Sequence, residues 1–307
     1  MASPANLAAD PAQRPPMDFN TRGMRFHFAS RKAINLLVSG LAMLATALVL
    51  VPLAAILIYL CYKGASSLNL NFFIKMPASP GEPGGGMANS ITGSAVVLGL
   101  ASLLGIPVGI AAGVYLAEFG RGKLLGNAVR FTADVLNGVP SIVIGISMYA
   151  LIVKPQLHFS AFAGGVALAV MMVPTITRTT EEMLSTVPHS IREAALGLGV
   201  PKWRTTMSVA LRTASPGIIT GCMLAFARVA GETAPLLFTA LGNEFWSLNL
   251  NQPIDALPLR IYKYANSPYD EWHRVAWAGS LVLIAMIMVS VTLVRIFAGR
   301  GVLKGGN

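Results

Sequence analysis

Residues Ile34–Tyr59 read INLLVSGLAMLATALVLVPLAAILIY, a run of apolar and small side chains without a single charge. A helix needs about 20 apolar residues to cross roughly 30 Å of hydrocarbon, whereas a membrane β-strand needs about ten and alternates in polarity. This run is long and does not alternate, so it predicts a membrane-spanning helix. Five more runs meet the same criterion: Ser94–Leu116, Val135–Val153, Ala161–Thr177, Pro216–Leu241 and Val275–Val294. The composition agrees. Of 307 residues, 54% are hydrophobic and 12% charged, and the mean hydropathy is +0.62. Soluble domains have about a quarter of their residues charged. These observations exclude a soluble domain and predict an all-α polytopic membrane protein with six transmembrane helices.

The formal charge of +10 would suit a nucleic-acid partner, but the basic residues lie between the apolar runs, where membrane topology places them. No nucleic acid is expected. With the N-terminal segment inside, sixteen Lys and Arg fall on the inner side, six on the outer side, and Arg228 lies within a span. That bias predicts a multi-pass protein with both termini in the cytoplasm. Residues 1–33 contain no apolar run and no secretory signal pattern, and are expected to form a disordered cytoplasmic tail. The first span occupies 34–60. An external loop covers 61–89, with the turn-forming stretch Pro77 to Gly86. The transmembrane core covers 90–297, and 298–307 form a second cytoplasmic tail. The external stretch Leu241–Arg274 carries Phe245, Trp246, Tyr262, Tyr264, Tyr269 and Trp272, suited to anchoring at the lipid interface or to docking a partner. No repeat of helical-hairpin length appears, which argues against an inverted-repeat secondary transporter.

Chemistry-bearing residues are few. Gly105, Gly109 and Gly113, extended by Ala101 and Ala117, share one helix face and allow a second helix to approach closely, most simply as packing within the chain. Arg228 and Glu232 stand within the fifth span, where a charge at mid-membrane costs roughly 2.5–3.5 kcal/mol on insertion scales. Four positions apart on one helix, they would share a face and could pair. They read either as a neutralising ion pair or as the polar face of a substrate path, with Pro235 loosening the helix beyond them. Arg178, just past the fourth span, could add a second positive charge. The inner loop from Val187 to Arg204 predicts one short helix, with Ser190 as N-cap, Glu193 completing a capping box, and Gly199 and Pro201 as the stop. Cys61 and Cys222 offer no disulfide framework. His27, His158, His189 and His273 are scattered across both sides and predict no metal site. Glu181 and Glu182 are adjacent on a helix and point apart. No nucleophile–base constellation stands out, which argues against an enzyme.

Glu193-Ala194-Ala195, then three residues, then Gly199 resembles the EAA motif of the membrane subunits of ATP-driven importers. The resemblance implies the type I ABC importer permease fold. In that family the short helix, here near 187–200, fits a groove on the ATPase subunit and transmits its closure. Val209 and Leu211 continue the pattern, whereas Arg212 stands where the family has a proline, which removes the reason for a helix break there. The stretch Arg228-Val-Ala-Gly-Glu232-Thr-Ala-Pro-Leu-Leu-Phe-Thr-Ala240 is similar to the permeases of phosphate importers, as are Thr177–Glu181 and the residues from Phe245 to Pro253. The likeness spans most of residues 90–297. It implies Arg228, Glu232 and Arg178 along a phosphate path in a bacterial inner membrane, and Glu193, Ala194, Ala195 and Gly199 as the ATPase contact. It also implies a homologous permease subunit, two copies of an ATPase carrying ATP and Mg²⁺, and an external phosphate-binding protein.

The chain itself has no phosphate loop. Its only Gly-Lys pair, Gly122-Lys123, is followed by Leu124, and Ala117 stands where the first glycine belongs. No cofactor is therefore expected in this subunit. Two alternatives stay open on the residues alone: an importer of another oxyanion, such as sulfate or molybdate, and a passive anion channel.

Overall fold

Gly138-Val139-Pro140 ends one helix and turns the chain before the next. Proline lacks the N–H that would continue the hydrogen-bond ladder and pushes the residue before it out of the helical region; Val139 is extended, with φ −72° and ψ 130°. The helices on either side, α4 (Leu124–Gly138) and α5 (Ser141–Gln156), meet at 108°. The predicted span Val135–Val153 thus falls on a sharply bent pair of helices.

In this computed structural model the described residues are 22–80, 82 and 84–303, with side chains from 30 to 296. Among them the chain is helical throughout its ordered elements, apart from one isolated parallel bridge between Leu241 and Ile254. It divides into two units, Met1–Tyr59 and Leu60–Asn307. Helix α1 (Arg22–Ala65) contains the predicted first span. It starts inside the stretch read as an unstructured tail, so residues 22–33 are helical, and 1–21 lie outside the described residues. At the other end α11 (Asp270–Leu303) carries the sixth span through the predicted C-terminal tail as far as 303.

Within the second unit, α2 (Leu70–Ile74) is a short helix in the predicted loop 61–89. Helix α3 (Ala88–Phe119) has 32 residues and is long enough, at about 1.5 Å per residue, to exceed the hydrocarbon thickness. Helix α6 (Ala161–Ser185) starts at Ser160, whose hydroxyl accepts from Ala163 N–H, and it runs eight residues past the predicted end at Thr177. It is the central helix: 67% of its most apolar stretch is buried, against at most 33% for the other four helices long enough to cross singly. The small-residue stripe of α3 lies against it. A methyl added at Gly105, Gly109 or Gly113 would meet Ala169 O at 3.2 Å, Ile176 Cβ at 2.7 Å or Thr180 Cβ at 2.5 Å, respectively. The stripe thus packs within the chain, as its spacing suggested.

Helix α7 (His189–Gly197) is the short inner-loop helix. Helix α8 (Lys202–Ala230) passes through Arg212 without a break, relaxing into one π-helical turn at Thr206–Ala210. The predicted fifth span is interrupted. Helix α8 ends at Ala230, and after Gly231, Glu232 and Thr233 the chain re-enters a helix as α9 (Ala234–Thr239), with Pro235 harmless in its first turn. Helix α10 (Leu257–Ala265) then lies in the stretch read as an external loop.

Candidate translocation site and coupling helix

The two interrupted spans meet each other. Helix α5 packs on α9 so closely that a methyl at Gly145 would stand 2.8 Å from Pro235 Cα and 3.3 Å from Ala234 O. Helix α6 closes the same junction, with Gly164 against Ala240 and Leu236. Backbone that leaves helical geometry at membrane depth is tolerated only when buried in protein or lining a watery cavity. Arg228 sits in the last turn of α8, and Glu232 in the break itself. They do not form the ion pair expected of positions i and i+4, because the helix ends between them. Among the described residues neither side chain is in an ion pair: Arg228 is exposed, and Glu232 half-buried. A cation at a helix C-terminus is favoured by the helix dipole, so Arg228 is partly compensated without a carboxylate.

Arg178 is not brought to this place. It lies inside α6 rather than past its end, and its guanidinium pairs with Glu181 (3.5 Å) and Glu182 (3.4 Å). Its neighbour Thr179 packs on Gly221, seven residues before Arg228, or about 10 Å away along α8. A cavity of about 380 Å³ between α3, α8 and α11 is lined by Ile106, Ile110, Ile219 and Phe226, and gives an anion little beyond the hydroxyls of Ser102 and Ser290.

The coupling-helix candidate, α7, carries Glu193, Ala194 and Ala195. Glu193 and Ala194 are exposed and Ala195 half-buried, and the exposed apolar side chains of Ile191, Leu196 and Leu198 lie nearby. The expected capping box is absent: Pro188 is the N-cap, so Ser190 already lies inside the helix and no side chain caps it. The expected stop is present. Gly199 has φ +80°, Val200 N–H bonds Ala195 O (3.2 Å) and Gly199 N–H bonds Leu196 O (2.9 Å), the double closure of a Schellman motif.

Comparison with known proteins bears on these two features together. A family described as "binding-protein-dependent transport system inner membrane component" matches residues 105–300. That range includes both helix breaks and the whole of α7. The chain belongs to this family. The phosphate transport system permease protein PstA of Yersinia pestis is 47% identical over 238 residues, covering 78% of this chain and 81% of the relative. PstA of Pasteurella multocida (strain Pm70) is 44% identical over 271 residues, covering 88% and 96%. A chain of a bacterial alginate ABC transporter superposes with a TM-score of 0.65 at 12% identity, covering 89% of this chain and 97% of its own. The importer component therefore has the type I ABC importer permease fold.

Two groups of contacts in this chain were not expected from the sequence. At the α7 end of the molecule, Glu118 in the π-helical last turn of α3 meets Arg192 of α7 at 2.8 Å, and Arg130 of α4 meets Glu181 of α6 at 2.6 Å. At the opposite end of α3, Asp255 and Arg260 form a pair at 2.8 Å with both side chains 3% exposed. Ser90 donates to Asp255, and Arg260 donates to Asn243 O (3.0 Å). Asn89 also donates to Asn243 O (2.7 Å), and Ser94 accepts from Leu257 N–H (2.7 Å), so the start of α3 is bonded to α10 and the loop before it. Burial pushes the Asp255 carboxyl above its ordinary range, against the pull of Arg260 and Ser90. The hydrogen bond from Lys263 holds Glu244, at the rim, below its ordinary value. The external aromatics divide: Tyr264 is buried and stacked on Trp272 at 4.4 Å, whereas Phe245, Trp246 and Tyr262 are exposed.

Proposed function

We propose that this chain is the membrane-spanning subunit of an ATP-driven importer that carries inorganic phosphate into the cytoplasm. The observation that carries the reading is the Arg228–Glu232 helix break, lying within a chain 47% identical to a phosphate transport system permease over 78% of its length. Arg228 supplies an uncommitted cation at mid-membrane, where a charge persists only for a reason. Its guanidinium matches a tetrahedral oxyanion with paired donors. Glu232, freed from the helix, returns a negative charge beside the path, so the anion is attracted without being held.

The working assembly in this reading contains a homologous permease subunit, two ATPase copies that bind ATP and Mg²⁺, and an external phosphate-binding protein. The exposed Arg228 side would face the path shared with the second permease. Helix α7, through Glu193, Ala194, Ala195 and Gly199, would seat in the ATPase. The subunit lies in the inner membrane with both termini in the cytoplasm, following the distribution of Lys and Arg.

The test is phosphate uptake by proteoliposomes holding the complete importer, with binding protein outside, with and without internal ATP, and with sulfate as competitor. ATP-dependent uptake unaffected by sulfate is expected, falling at least about tenfold in Arg228→Gln with the complex intact. Equal flux without ATP would make the protein a channel. Sulfate competition would change the substrate, and full-rate uptake by Arg228→Gln would remove the arginine from the path.

A further inference from the structure

The inner-loop helix α7 has two mechanical outlets. One is covalent: from Gly199 the chain passes through Pro201 directly into α8, which ends at Arg228 and the break. The other is a set of side-chain contacts in which every donor but one comes from α7 or the residues just after it. Arg192, in the second turn of α7, places Nη2 2.8 Å from Glu118 Oε1 and donates through the same atom to Leu184 O at 2.7 Å. Glu118 belongs to the last turn of α3, and Leu184 to the last turn of α6. Lys202, just past the α7 stop, donates to Glu118 O at 3.1 Å and lies 5.1 Å from the centre of the Phe119 ring. Arg130 of α4 reaches into the same corner, with its guanidinium on Leu116 O (3.2 Å) and Glu181 (2.6 Å).

The side chains of Arg192 and Glu118 are 13% and 9% exposed, so their attraction is weakly screened by solvent, although Glu118 Oε1 receives no aligned hydrogen bond. Arg192 Nε is buried without an acceptor in this conformation. A buried donor left without a partner is unfavourable; the joint is thus incompletely satisfied in this conformation and has a hydrogen bond to gain in another arrangement. Helices α3 and α6, in turn, are in backbone-close contact along Gly105, Gly109 and Gly113, which ties one to the other.

We propose that Arg192 and Glu118 are positioning residues that fasten α7 to the α3–α6 pair, so that a displacement of α7 moves that pair together with α8. The inference rests on the proposed ATP-driven import. Without the joint, α7 would pull α8 alone, and ATP hydrolysis would no longer be matched by opening of the path at the helix break.

The experiment uses the complete importer in proteoliposomes, comparing the unsubstituted chain with Arg192→Gln, Glu118→Gln and the exchanged pair Arg192→Glu with Glu118→Arg. Three quantities are read: ATPase retained on purification, ATP hydrolysed, and phosphate imported per ATP. Both single variants are expected to retain the ATPase and hydrolyse ATP while phosphate per ATP falls about tenfold, within the range of ordinary coupling between two sites. The exchanged pair should recover most of it. Unchanged phosphate per ATP in the single variants would overturn the proposal. So would loss of the ATPase from the complex, which would mark a merely structural contact. If the unsubstituted importer shows no ATP-dependent uptake, the proposed function fails first, and the joint falls with it.

Discussion

Gly113 offers a test of how tightly α3 and α6 are held. In Gly113→Ala the new Cβ would lie 2.5 Å from Thr180 Cβ and 2.7 Å from Thr177 O. Non-bonded carbons settle at about 3.5–4.0 Å, so the helices must part by about 1 Å or more at this level. Thr177 O is backbone and cannot rotate away. Gly105 and Gly109 share the seam, with Ala169 O at 3.2 Å and Val173 O at 3.2 Å from their added methyls, so parting at Gly113 loosens contacts over the neighbouring turns. Overpacking of this kind destabilises by about 1–3 kcal/mol. Gly99→Ala, on the same helix with nothing within 4 Å, is the control, and it should be neutral or slightly stabilising. The assay is reversible denaturant unfolding in mixed micelles, read as a change in midpoint at constant slope. A Gly113→Ala variant within about 0.5 kcal/mol of the unsubstituted protein, the usual scatter of surface changes, would refute the close-packed seam.

Two further outcomes are expected. Gly199→Ala places a side chain on backbone at φ +80°, at a penalty of about 1–2 kcal/mol; the C-terminal turn of α7 should fray and less ATPase should be recovered on purification. Glu244, whose folded value lies below its ordinary 4.5, contributes stability that is present above 4.5 and is lost as pH falls through the lower folded value. Amide exchange of residues 243–256, corrected for intrinsic pH dependence, should therefore be level from neutral pH down to that range and rise below it, and Glu244→Gln should flatten the rise.

The spans were legible because apolar length is a property of each segment by itself. The start of α6 at Ala161 and the α7 stop at Gly199 were legible for the same reason. The interruptions were not. Hydropathy stays high across Val135–Val153 even though Pro140 bends the chain, and α8 stops at Gly231 rather than at Pro235, the residue expected to loosen the helix. The capping box failed because Pro188 started the helix two residues earlier than Ser190 would have. Glu118 and Arg192 are 74 positions apart in the sequence, and no periodicity connects them. Asp255 and Arg260 lay in a stretch read as loop; Asp255 precedes α10 and Arg260 lies near its start, so no helical spacing joins them.

The break after Ala230 bears on the two readings that the sequence left open for Arg228 and Glu232, and supports the substrate path proposed above. On a continuous helix the two side chains would have shared a face and neutralised each other, and the pair would have needed no further purpose. Ending the helix between them has three effects. It leaves Arg228 in the last turn of α8, where the helix dipole supports its charge without a carboxylate. It moves Glu232 into non-helical backbone, with no ion pair to the guanidinium among the described residues. It also puts Glu232 three residues before Pro235, where α9 packs on Gly145 of α5 and the two interrupted spans come together. Interrupted helices at membrane depth are unfavourable unless protein or a water-lined path receives their backbone. An arginine that merely balanced a glutamate would not require such an arrangement. The break fits the role proposed above, in which Arg228 keeps its donors free for a passing anion.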